Sequence, residues 1–167
     1  MPDKRTIAKA RRDKRQGKSA STQAGEFVRD EIDKIRHGKH GARNTRQAIA
    51  IGLSEARRAG VNLPPPKKGR TSARTRKSAK YAYEAGQHKR KTTRRPKVSR
   101  AVTQVLKHEP RSTASRRALS QQARRAAARR SAASRSAAAR KAVRTKGHAA
   151  RSAAAKKAAR TRARRRG

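Results

Sequence analysis

Large apolar residues gather between Thr22 and Leu63 and recur there at helical spacing. At 100° per residue, Ala24, Phe27, Val28, Ile32 and Ile35 fall within an arc of roughly 140°, which predicts an amphipathic helix. Ser21 or Thr22 stands at its cap position, His37 near its end and Gly38 at its stop. Arg29, Asp30, Asp33 and Arg36 lie on the other side, while Glu31 falls inside the apolar arc and breaks the pattern. The loop HGKHGAR reverses the chain, and Asn44-Thr45-Arg46-Gln47 has the capping-box pattern that opens a second helix. Its inner arc carries Ala48, Ile49, Gly52, Leu53, Ala56 and Ala59, with Gly60 as C-cap and Val61 folding back on the last turn. The expectation is a helical hairpin over 22–63, brought close by Gly52 and the alanines and ended by Pro64-Pro65-Pro66.

The flanks offer much less to bury. Residues 1–21 read as a basic arm: DKRTIAKARRDKRQ suits a short helix ended by Gly17, but Ile7 is its only large apolar side chain, so it is expected to be mobile. Residues 64–98 read as a Pro-rich, basic linker with a third helix over 72–85. A hairpin of about 40 residues sits at the limit of independent stability. Either the third helix docks onto Ile51, or the 22–63 hairpin forms a homodimer. The stretch from Gly86 to Lys97 is too polar to fold by itself. Residues 99–167 form an Ala/Arg/Lys-rich tail with two internal repeats. Residues 100–107 resemble 117–124, and 135–146 match 151–162 at nine of twelve positions, keeping Ala spacing and charge rather than an apolar face.

Charge changes the picture more than pattern does. The 167 residues carry 51 Lys plus Arg against 9 Asp plus Glu, a formal net charge of +42. Five of the nine acids (Glu26, Asp30, Glu31, Asp33, Glu55) lie in the hairpin, and none follows Glu109. Hydrophobic residues are only 32%, much of that Ala, so one core spanning the whole chain is excluded. Such charge resists compaction until a polyanion neutralises it, which points to nucleic acid first and an anionic membrane surface second. With no Cys, disulfides, thiolate zinc sites and thiol catalysis are excluded. No apolar run approaches the roughly 18 residues of a membrane span, and the N-terminus has no signal-peptide core. The basic N-terminus also lacks the Ser-rich amphipathic stretch of a transit peptide. The expected location is the cytoplasm, at the nucleoid.

The tail carries the candidate chemistry. A helix from about Thr113 to Lys146 would be roughly 50 Å long and would spread its cations around the whole circumference. It buries nothing, so it is expected to fray when free and to become helical against phosphates. The residues assigned to phosphate contact are Arg116, Arg117, Arg124, Arg125, Arg129, Arg130, Arg140, Lys141, Arg144, Lys156, Lys157 and Arg160. Such an arm reads little sequence and binds with a steep salt dependence.

Other motifs are weaker. His37 and His40 near Asp33 lack a third and fourth metal ligand, so no metal site and no cofactor is expected. GKHGARNT lacks P-loop spacing, although the helix start after Asn44 has room for one backbone phosphate. Thr45 to Ala59 could serve as a recognition helix, but the loop before it exceeds the three or four residues of that motif. Tyr81 and Tyr83 could stack on bases. Ser99, Ser112 and Ser131 lie near basic residues, where phosphorylation would loosen binding. Asp30 and Asp33 suit pairing with Arg29, Lys34 or Arg36, and no nucleophile–base pair occurs, so a non-enzymatic protein is expected.

The stretch GEFVRDEIDKIRHGKHGARNTRQAIAIGLSEARRAGVNLPPPKKG resembles a family of small, very basic bacterial proteins of unknown function, often labelled DNA-binding. The likeness is strongest over about 22–70, in the GKHG loop and the QAIAIGLSEARRAGV helix. RSAAAKKAARTRARRR is similar to the tails of bacterial histone H1-like proteins, though richer in Arg and Ser and poorer in Pro and Lys. Together the resemblances imply a nucleoid protein. The expectation is thus a mostly α-helical, non-enzymatic protein that compacts or protects DNA. RNA or ribosome binding is the first alternative, and a protein adaptor gripping its partner through the hairpin the second.

Overall fold

The computed structural model describes residues 3–90 and 95–164. Among them lie seven α-helices, one 3-10 turn and no strand. In order these are α1 (Lys4–Arg15), α2 (Ala20–Arg36), α3 (Thr45–Arg58), α4 (Ala73–Gly86), α5 (Pro96–His108), the turn Ser112–Ala114, α6 (Arg116–Ala128) and α7 (Ala132–Ala163). The chain divides into two compact units, residues 1–122 and 123–167.

The centre of the first unit is the expected hairpin of α2 and α3. Ser19, not Ser21 or Thr22, caps α2, its Oγ accepting the Thr22 N–H at 3.4 Å. Asn44 caps α3 by accepting the Gln47 N–H at 2.9 Å, and Gln47 Oε1 reaches back to the Arg43 N–H at 2.8 Å. The two helices meet at Gly52, where a Cβ would stand 2.7 Å from Val28 Cα. Any side chain there forces them apart. At the far end Gly60 takes a φ of 87°, and Val61 N–H returns to Ala56 O at 3.1 Å. That turn lays Val61 against Phe27, Ala24 and Ala56 in one apolar cluster.

The N-terminal segment is not a loose arm. α1 packs on α2, with Ala10 buried in the Phe27 cluster and Ile7 and Ala20 beside it. Small side chains let the helix come close without a broad apolar stripe, and Gly17 at φ 68° turns the chain. Asp13 is buried and paired with Lys18 at 2.7 Å, which fixes that turn.

The third helix, α4, forms nearly where expected, capped by Ser72, and packs on α3. Ile51 on α3 is half-buried. Gly86 lies against the backbone of Arg57 and Arg58, with no room for a Cβ beside Arg57 O. The Tyr83 hydroxyl donates to Asn62 Oδ1 at 2.7 Å and ties α4 to the loop after α3. Part of the polar linker expected over 86–97 is helical, since Gly86 ends α4 and Pro96 begins α5; residues 91–94 lie outside the described residues.

A tail boundary at 99 also needs correction. Ala114 is fully buried with Ile32, Ile35, Ala42 and Ala48, and Leu119 packs beside them. Gly41 N–H donates to Leu106 O at 2.7 Å, Ala42 N–H to Pro110 O at 3.2 Å, and Thr45 Oγ1 to Thr113 O at 2.8 Å. The hairpin is thus packed by α1 at one end and by Ala114 at the other. At Gly41 a Cβ would run into Glu109 O. Gly41→Ala is expected to loosen this dock and cost about 1–3 kcal/mol. A thermal melt unchanged from the parent would contradict the packing.

The tail is helical in its described part, but not as one rod from Thr113 to Lys146. Ser115 and Ser131 interrupt it in extended conformation, their hydroxyls accepting the Ala118 and Ser134 N–H groups at 3.2 Å. Gly147, at φ 65° and ψ 172°, kinks α7. No residue of α7 is buried among those described.

Candidate nucleic-acid interface

The twelve predicted contact residues are all exposed. Arg116, Arg117, Arg124 and Arg125 lie on α6, and Arg129 and Arg130 between α6 and α7. Arg140, Lys141 and Arg144 belong to α7 before its kink; Lys156, Lys157 and Arg160 follow it. Each α7 trio has i, i+1, i+4 spacing, which gathers three cations on an arc of roughly 100°. The trios stand 16 residues apart in the sequence repeat, so each part of α7 presents the same cationic face. On α6, Arg117 and Arg124 share a face in the same way.

Electrostatics separates the two units. Residues 123–167 hold seventeen Lys and Arg and no acid, so the cations there have no carboxylate partner within their unit. In the first unit, carboxylates draw cations in: Lys34 Nζ lies 2.8 Å from Asp30 and 3.4 Å from Glu55, and Glu84 faces both Lys80 and Arg90. Arg130 is the partial exception in the predicted set, since it donates to Ser134 Oγ and Ser134 O at the start of α7. Arg135, Arg151, Arg162 and Arg164 are as exposed as the predicted twelve and were missed. The 16-residue repeat pairs Arg135 with Arg151 and is the signal that finds those two.

The other candidates are used internally. The start of α3 is covered, with Gln47 N–H taken by Asn44 and Thr45 bonded to Thr113 O. α3 is packed by α2, α4 and the 3-10 turn rather than standing out as a reading helix. Arg90 sits over the Tyr81 ring at 4.7 Å, and Tyr83 is held by Asn62. His37 Nδ1 bonds Asp33 O at 2.7 Å, and among the described residues no three potential ligands gather as a metal site.

Glu31, the break in the apolar arc, is 1% exposed, and its Oε1 has no hydrogen-bond partner, with His40 Nε2 standing 3.6 Å away. Burial raises its carboxyl above the ordinary range, with Glu55 and Asp30 adding to the rise and His40 and Lys34 opposing it. Burial would pull the Lys34 ammonium down, but its bond to Asp30 and the charges of Glu55, Asp30 and Glu31 leave it raised. Because folding raises the Glu31 pKa, its stabilising contribution is full below the ordinary carboxyl range and is lost as pH rises through the raised value. Glu31→Gln should therefore raise Tm at pH 7 and give no gain near pH 4. An equal gain at both pH values would assign the effect to packing instead.

The geometry defines a class: a small helical module joined to an acid-free, cation-covered helical tail. A family of unknown function (DUF6496) matches residues 3–68, less than half of the chain. That stretch contains α1, α2 and α3, so it includes the N-terminal helix as well as the hairpin. No curated protein and no solved structure matches the chain. Among the described residues no helix is long and apolar enough to cross a membrane.

Proposed function

We propose that this is a non-enzymatic nucleic-acid-binding protein. It contacts the phosphates of duplex DNA through the cations of α6 and α7 with little sequence readout, and so compacts or protects DNA at the nucleoid. One observation carries the reading: seventeen Lys and Arg with no acid in the same unit, the twelve residues assigned to phosphate contact, among them or beside them on α6, being all exposed. A helix of this kind has no face to bury and its like charges oppose it, so phosphate counter-charge is what favours it. The first unit then serves as the folded anchor.

Diffuse contacts have a diagnostic signature. Arg140→Ala should weaken duplex binding only slightly and lower the slope of log affinity against log salt by about one unit. Fluorescence anisotropy at several salt concentrations measures both. Complete loss of binding in Arg140→Ala would contradict the distributed interface. Structured RNA competing as well as duplex DNA would move the assignment to RNA, which presents the same phosphate charge.

A further inference from the structure

Among the described residues, three of the five exposed large apolar side chains lie on α5, the other two being Tyr81 on α4 and Val143 on α7. Val98, Val102 and Val105 are 55%, 52% and 61% exposed, and α5 buries no residue. Its connection to the hairpin is at its end, where Leu106 O accepts the Gly41 N–H. At 100° per residue, Val98, Val102, Val105 and half-buried Leu106 share an arc of roughly 100° that contains no charged residue of α5 itself; Arg95 and Glu109 cap its two ends. Lys97, Arg100 and Lys107 lie on the opposite side.

We infer that this arc is a self-association seam, that its occupant is α5 of a second copy, and that pairing occurs on a polyanion. The inference rests on the nucleic-acid reading above. Charge placement selects the partner: an acidic partner would call for cations rimming the apolar arc, whereas here they point away from it. Two copies can join valine faces while both cationic sides remain turned toward phosphate. Size sets the condition. α5 has 13 residues and is about 20 Å long, so a helix pair covers a few hundred Å² per copy, against about 800 Å² in a standard stable interface. Repulsion between chains of net charge +42 opposes free association further. Neutralisation and high local concentration on a duplex remove both obstacles. The protein then bridges strands rather than only coating them.

Disulfide trapping tests this in the full chain, which has no native cysteine. Val102→Cys is compared with Gln104→Cys, an exposed position on the cationic side, each with and without a long DNA duplex. The expected result is a monomer without DNA and, on DNA, about tenfold more cross-linked dimer from Val102→Cys than from Gln104→Cys. The triple variant V98Q/V102Q/V105Q keeps the net charge and should retain the salt slope while losing cooperative binding. Equal cross-linking of the two cysteines on bound DNA overturns the seam and leaves DNA binding standing. Absence of duplex binding by the parent overturns both readings. Protection of the free monomer's Val102→Cys thiol from a maleimide would mean that α5 folds back on its own chain. Flotation of the parent, but not the triple variant, with phosphatidylglycerol vesicles would make the seam a lipid surface. Either result overturns the inference.

Discussion

A chain ending at Gln122 should bind duplex DNA about a thousandfold more weakly than the full chain near 0.15 M salt, with a much shallower salt slope. The truncation removes seventeen cations and retains all nine acids. It also retains Ala114 and Leu119, so the hairpin keeps its cover. Ending at Lys107 instead would strip Ala114 from Ile32 and Ile35 and mix unfolding with lost contacts. Anisotropy titrations, with far-UV circular dichroism to check folding, separate these effects. If affinity and slope survive removal of 123–167, the binding site lies in the first unit.

Phe27→Ala should have the largest effect on stability, a loss of about 3–5 kcal/mol. Phe27 is fully buried, and its cluster is otherwise Ala10, Ala24, Ala56 and Val61, with Ile7, Leu53 and Leu63 half-buried around it. Alanines bury little area, so the one ring joins α1, α2 and α3. Domains of this size have only about 5–15 kcal/mol in total, so the variant should lose a large share of its stability and melt well below the parent. Duplex affinity should fall far less, because the tail does not depend on that core. A thermal melt within a few degrees of the parent would contradict the packing. Loss of DNA binding in step with unfolding would make the module part of the site.

These two outcomes follow the line between what the sequence reveals and what it hides. The hairpin was legible because Phe27, Ile32 and Ile35 recur at helical period, and Asn44 and Gly60 mark the bounds of α3. The tail's charge was legible because missing acids can be counted. α1 was misread because it packs through Ala10, Ile7 and Thr6, and small residues leave no hydrophobic stripe. The 106–114 dock was invisible because it is made largely by backbone: Gly41 to Leu106, Ala42 to Pro110, and a lone Ala114 between serines and threonine. Glu31 read as an imperfection because its neighbour His40 arrives only when the loop closes. The breaks at Ser115 and Ser131 come from side-chain capping, which competes locally with the helix that Ala and Arg favour.

The central claim is a distributed phosphate interface, and the most direct test is the affinity of the full chain for two duplexes of unrelated sequence across a salt series. The same loss is expected for both, about three to five orders of magnitude between roughly 50 and 200 mM salt. A shallow slope of about one or two, or a strong preference for one duplex, would contradict it.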